Sequence, residues 1–172
     1  MKKLFAFLFT GFLLLVFQSI WRVIFSDGPA VPDLVFILVV YSGMYRSAFT
    51  GAILAFVFGF FSDVLWGLQP GLFASVYTMV FFFSRLSGRR FYMRSYMFQV
   101  IIIVLMTVVA KLFELLVLAA LGLGENFSAA IWATVWRQML WNGLLAIPVV
   151  LLLERIEQAT AEEHSGRYIG AW

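Results

Sequence analysis

The chain has 172 residues, of which 63% are hydrophobic and only 12% charged, with a net charge of +3 and no cysteine. Soluble domains carry about 25% charged residues, so a chain this apolar reads as one integral membrane domain rather than a soluble enzyme. The absence of cysteine excludes disulfides, thiolate metal centres and cysteine nucleophiles, and so small a positive charge is no nucleic-acid signature.

A full membrane crossing takes about 20 apolar residues, and six segments qualify as transmembrane helices: 4–24, 33–46, 48–67, 71–86, 97–121 and 132–153. The expected fold class is therefore all-α, a six-helix transmembrane domain over 1–154 followed by a polar cytoplasmic tail over 155–172. The first segment follows Met1-Lys2-Lys3, as in a secretory signal. Its apolar run continues to about Ile24 with no small-residue cleavage site, so it reads as an uncleaved span. The second segment is short. The stretch "GMYRSAFTG" (43–51) leaves almost no loop after it, which predicts a tight hairpin with the third. Pro148 lies inside the sixth and is expected to kink it. The tail carries the single histidine, His164, and is expected to be a frayed helical end without a role in chemistry.

Lysine and arginine in short loops set orientation. With the N-terminus in the cytoplasm, Lys2, Lys3, Arg46, Arg85, Arg89, Arg90, Arg94, Arg155 and Arg167 all face inward. Arg22, Lys111 and Arg137 then lie toward the outer half, and Trp21, Trp66, Trp132 and Trp136 fall near the outer boundary. Both termini are expected inside.

The third segment opens the stretch "GAILAFVFGFFSDVLWGLQPG" (51–71), in which every fourth residue is small or acidic: Gly51, Ala55, Gly59, Asp63, Gly67. Residues at i and i+4 share a helix face, and small residues let two backbones approach closely in a membrane. The stripe is therefore a candidate packing groove for another helix of this bundle or for a partner's helix. Asp63 is costly in hydrocarbon unless paired or near water, and it is placed near the outer end, as a cap or an interfacial acid. Asp33, just after Pro32, suits the dipole at a helix start. Lys111 and Glu114 have the i, i+3 spacing of a pair. With Arg137, Gln138 and Asn142, these residues place every polar group within the spans at middle or outer depth, leaving the inner halves almost pure hydrocarbon. They form either an internal network or an outward-opening cavity or docking site.

Catalytic patterns are missing. No Gly-x-Gly-Asp surrounds Asp33 or Asp63, no histidine–glutamate cluster could bind a metal, and no Gly-rich phosphate loop occurs. No catalytic residue, metal or cofactor is expected. Anionic lipid is the expected contact of the basic run Arg85–Arg94.

Residues 32–92, "PDLVFILVVYSGMYRSAFTGAILAFVFGFFSDVLWGLQPGLFASVYTMVFFFSRLSGRRFY", resemble the rod-shape-determining MreD family. The likeness rests on the Pro-Asp opening, the glycine turn with a basic residue and the Gly-spaced helix ending in Asp and Gly. The helix from Ala74-Ser75-Val76-Tyr77 to Arg85-Leu86 follows, and Glu114 in "KLFELL" adds an acidic position. Lys111 and Arg137 match no position of that pattern. The resemblance implies a non-enzymatic, multi-pass protein of the bacterial cytoplasmic membrane that maintains rod shape. It implies association with MreC, and through it with RodA, a class B penicillin-binding protein and MreB. It also implies a fold similar to the six-helix substrate-binding subunits of energy-coupling-factor vitamin transporters. The alternative is that the chain is such a subunit. Those subunits dock through Ala-x-x-x-Ala on the first helix, where this chain offers only Ala6-x-x-x-Thr10.

Overall fold

A computed structural model describes residues 2–24, 32–66, 69–90, 95–122 and 129–169. It contains six α-helices: α1 (Lys2–Ile24), α2 (Leu34–Tyr45), α3 (Ala48–Trp66), α4 (Leu72–Arg90), α5 (Tyr96–Ala120) and α6 (Ala129–Ile169). The first five match the expected segments to within a few residues. The sixth does not: α6 runs 41 residues with Pro148 inside it, and there is no break near 154. Proline removes one backbone donor, and the residues that follow, rich in Glu, Ala, Arg and Gln, favour helix strongly. The expected frayed tail is thus a continuation of the helix.

Four helices, all but α2 and α4, are long and apolar enough to cross a membrane, and no more than 39% of any of their apolar windows is buried. They turn much of their apolar surface outward, as a lipid solvent allows. Of the remaining two, α4 is as long as α3 but its last turns are polar, and α2 is short. At 12 residues α2 is only about 18 Å long, against a hydrocarbon layer of about 30 Å.

The position of α2 follows from its sequence. It is apolar all round, and every residue from Leu34 to Gly43 is buried. A helix with no polar face has no side to turn toward water and packs inside. Here α2 touches each of the other five helices, and those five close a ring around it in the order α3, α4, α5, α6, α1. The core is this one helix and the inward faces of its neighbours, with Phe7, Phe58, Tyr77, Phe81, Ile103 and Leu153 almost wholly enclosed.

The stripe of small residues sits at the closest helix contact. Gly51, Ala55, Gly59 and Asp63 are all buried along α3, while Gly67 lies outside the described residues. A Cβ placed on Gly59 would lie 2.5 Å from the Cα of Ala74, and one on Gly51 would lie 2.2 Å from the ring of Phe81. The groove is filled by α4 of the same chain. At Gly59 the obstacle is backbone, which cannot swing aside.

Substituting Gly59 by alanine or leucine is expected to force α3 and α4 apart, at about 1–3 kcal/mol or more for overpacking. Gly143, whose added Cβ would only approach a Val104 methyl at 3.1 Å, is expected to accept alanine with little loss. Thermal unfolding of the two variants in detergent, followed by helical circular dichroism, compares them directly. Equal melting temperatures would remove the close α3–α4 contact as a determinant of stability.

Candidate functional site

Asp63 stands at the end of α3, beside the start of α4. Gly71, which precedes α4, has φ +89°, a left-handed conformation suited to glycine, and has no side chain to cap the helix. Asp63 supplies the cap from across the turn. Its Oδ2 accepts the N–H groups of Gly71 (3.1 Å) and Ala74 (3.0 Å), and its Oδ1 accepts that of Phe73 (2.8 Å). Three orphan donors of a helix start are satisfied by one carboxylate, and the helix dipole favours its charge.

Asp33 does the same for α2. It is the N-cap residue, and its Oδ1 accepts the N–H of Phe36 at 3.0 Å. Its Oδ2 accepts the hydroxyl of Tyr77 on α4 at 2.6 Å. Two further N–H groups at this helix start go to other helices. The Asp33 N–H donates to Oδ1 of Asn142 on α6 (2.9 Å), and the Leu34 N–H to Oε1 of Gln18 on α1 (3.2 Å). Asn142 donates in turn to Thr107 on α5 (3.2 Å), whose hydroxyl returns to the Ile103 carbonyl (2.8 Å). Five helices thus meet at the first turn of α2. Gln18, Asp33, Thr107 and Asn142 are all buried.

Beside this network lies a cavity of about 20 Å³, room for roughly one water. Asp33, Lys111, Glu114, Gln138 and Asn142 all line it, together with Tyr77. Five of the seven sequence-selected polar residues are therefore brought together. Asp63 is not on the cavity wall, and Arg137 is exposed. Lys111 and Glu114 form an ion pair at 2.6 Å within α5. Sequence reasoning passed over Gln18, Tyr77 and Thr107. The only signal was polarity inside apolar runs, and for a tyrosine that is easily read as an interfacial residue.

The opposite end of the bundle is polar too. There Arg46, just past α2, pairs with Glu157 on α6 at 3.3 Å and lies over the ring of Phe7 on α1, 3.8 Å from its centre. Arg85 of α4 donates to the Arg46 carbonyl at 2.5 Å, and Tyr41 donates to Glu157 at 3.1 Å. Gln99, buried in the first turn of α5, donates to the Tyr45 hydroxyl at 2.7 Å. The second end of α2 is therefore also held by side chains from several helices.

Chemically, these groups bind one another. Both oxygens of each aspartate accept donors of the same chain. Among the described residues no cluster of His, Cys, Asp or Glu could hold a metal.

The apolar outward faces, the enclosed central helix and the polar groups used as helix ties define a helical membrane protein. The chain belongs to the rod shape-determining protein MreD family, whose model matches residues 1–156, and is therefore a rod-shape-determining membrane protein. Neither the curated proteins nor the solved structures compared with the chain match it.

Replacing Asp63 by leucine is expected to strand three N–H groups and to destabilise the fold by several kcal/mol. Asparagine keeps one acceptor oxygen but turns an amide donor toward backbone donors, so it should fall between the two, about 1.5–3 kcal/mol below wild type. Thermal unfolding of the wild type, D63N and D63L in one detergent ranks them. A D63L protein as stable as the wild type would deny the capping role.

Proposed function

We propose that this protein is a non-enzymatic scaffold of the cell-elongation machinery in the bacterial cytoplasmic membrane, binding MreC and linking it to peptidoglycan synthesis. RodA, a class B penicillin-binding protein and MreB belong to the same assembly in this reading. All six helices lie within the membrane, with α2 enclosed by the others, and both termini face the cytoplasm. That orientation puts Arg46, Arg85 and Arg155 on the cytoplasmic side and Arg22 and Arg137 on the other, as the distribution of basic residues favours. The polar network around Asp33 is then a tie within the bundle, and the small-residue stripe of α3 is a contact within the chain rather than a partner's groove.

The observation that carries the reading is the size of the polar cavity. Binding a vitamin-sized ligand takes a pocket of about 300–1,000 Å³, whereas the cavity at Asp33, Lys111 and Asn142 is about 20 Å³. Asp33, Tyr77 and Asn142 on its wall are tied to one another, and Lys111 is paired with Glu114. This favours a scaffold over the substrate-binding subunit of an energy-coupling-factor transporter, which would hold its ligand at that end of the bundle.

Purification from native membranes in a gentle detergent, with mass spectrometry of what co-elutes, separates the two readings. The expected companions are MreC, a single-span protein, and a peptidoglycan synthase pair. Recovery of a coupling-factor membrane subunit with two ATPases, together with thermal stabilisation by a water-soluble vitamin, would replace the scaffold with a transporter subunit.

A further inference from the structure

The end of the bundle that holds Arg46 contains an open cleft of about 440 Å³, lined by Tyr41, Tyr45, Tyr96, Gln99, Glu154 and Glu157. It lies where α2 ends and α5 begins, beside α6, so it opens at the level where these helices start and stop. Its chemistry is one-sided, with two carboxylates and three phenol rings. The rings of Tyr41 and Tyr45 are tilted against each other with centroids 4.7 Å apart. The two carboxylates are not equivalent. Glu157 meets the Arg46 guanidinium at 3.3 Å. Glu154 accepts the Tyr96 hydroxyl at 3.1 Å, and among the described residues no lysine or arginine lies within ion-pair distance of it. A carboxylate framed by aromatic rings at a membrane boundary attracts a cation through both the charge and the negative ring faces.

The orientation proposed above identifies the source of that cation. On the cytoplasmic side, the segments that flank membrane helices are enriched in lysine and arginine. We propose that this cleft receives a lysine or arginine side chain from the cytoplasmic juxtamembrane segment of a partner membrane protein. Arg46 already shows the arrangement in miniature, with its guanidinium against a carboxylate on one side and over the Phe7 ring on the other. A basic side chain arriving at Glu154 completes the same arrangement with Tyr96 and Tyr45 beside it. The inference rests on the orientation and not on the identity of the partner.

The full-length protein, reconstituted in phosphatidylcholine vesicles, provides the test. It has no cysteine, so M97C at an exposed position next to Tyr96 accepts a single fluorophore. The probe is a synthetic single-span Leu/Ala helix flanked at one end by two arginines, compared with the same helix flanked by two citrullines. Energy transfer is expected to show the arginine helix associating about fivefold to tenfold more tightly. E154Q should bring the two helices level, and E154R should transfer the preference to a glutamate-flanked helix. Y96F keeps the ring and frees the carboxylate, so it should retain or strengthen the arginine preference even if the Glu154 variants fail to fold. Equal association of the two helices with the wild type would overturn the proposal, as would an unchanged preference in E154Q or its loss in Y96F. Loss of the preference on exchange to phosphatidylethanolamine would give the cleft to a lipid amine and overturn it too. Because the probe shares no sequence with MreC, its outcome is independent of whether MreC co-purifies.

Discussion

The structure depends on the need to satisfy helix ends that start buried against other helices. An unpaired backbone N–H in an apolar environment costs several kcal/mol. Both α2 and α4 begin beside other helices. Their first N–H groups must therefore find acceptors in the chain. Asp33 and Asp63 are those acceptors, with Gln18 and Asn142 completing the first turn of α2. Acids that look anomalous in an apolar sequence are what allow two helices to begin there. Once these ends are tied, α2 can be apolar on every side and the other five helices can close around it.

The same requirement explains the α3–α4 hairpin. For Asp63 to reach the N–H groups of Phe73 and Ala74, the two helices must come very close, and the Cβ atoms missing at Gly51 and Gly59 permit it. The spacing of small residues and the acid at the end of the stripe are one device. The glycines set the distance and the carboxylate uses it. Membrane helices gain little from burying apolar surface against one another, since lipid is equally apolar. Close packing and satisfied polar groups are then the available sources of specificity, and α3 combines both in one stripe.

Part of this was legible in the sequence. The six apolar segments, the Pro-Asp start of α2, the stripe on α3 and the Lys111–Glu114 pair all follow from spacing and residue type. The partners of Asp63 were not legible, because they are backbone groups and carry no sequence signature. The N–H that Asp63 accepts from Phe73 belongs to a residue of no particular type. Nor could periodicity show that α2 is the hub of a ring. Its apolar character fits lipid exposure as well as enclosure, and only its length spoke for the latter. The end of the bundle at Arg46 was misread because Tyr41, Tyr45 and Tyr96 count as aromatic and Gln99 stands alone among apolar residues. Their hydroxyl and amide groups matter only once α5 and α6 come together. The tail, expected as a frayed helical end, is carried on as α6 to Ile169, as its content of Glu, Ala, Arg and Gln favours.

The bond between the Asp33 N–H and Asn142 has a consequence for how the protein is made. The two residues are 109 apart in sequence. During synthesis α2 leaves the ribosome long before the helix that carries its acceptor. Its first turn cannot be fully bonded, nor its ring of neighbours closed, until nearly the whole membrane domain has been translated. Non-local contacts of this kind are formed late and slowly. Until α6 arrives, the Asp33 N–H lacks the acceptor that it has in the folded protein. The last helix of the chain is in this sense the latch on the second.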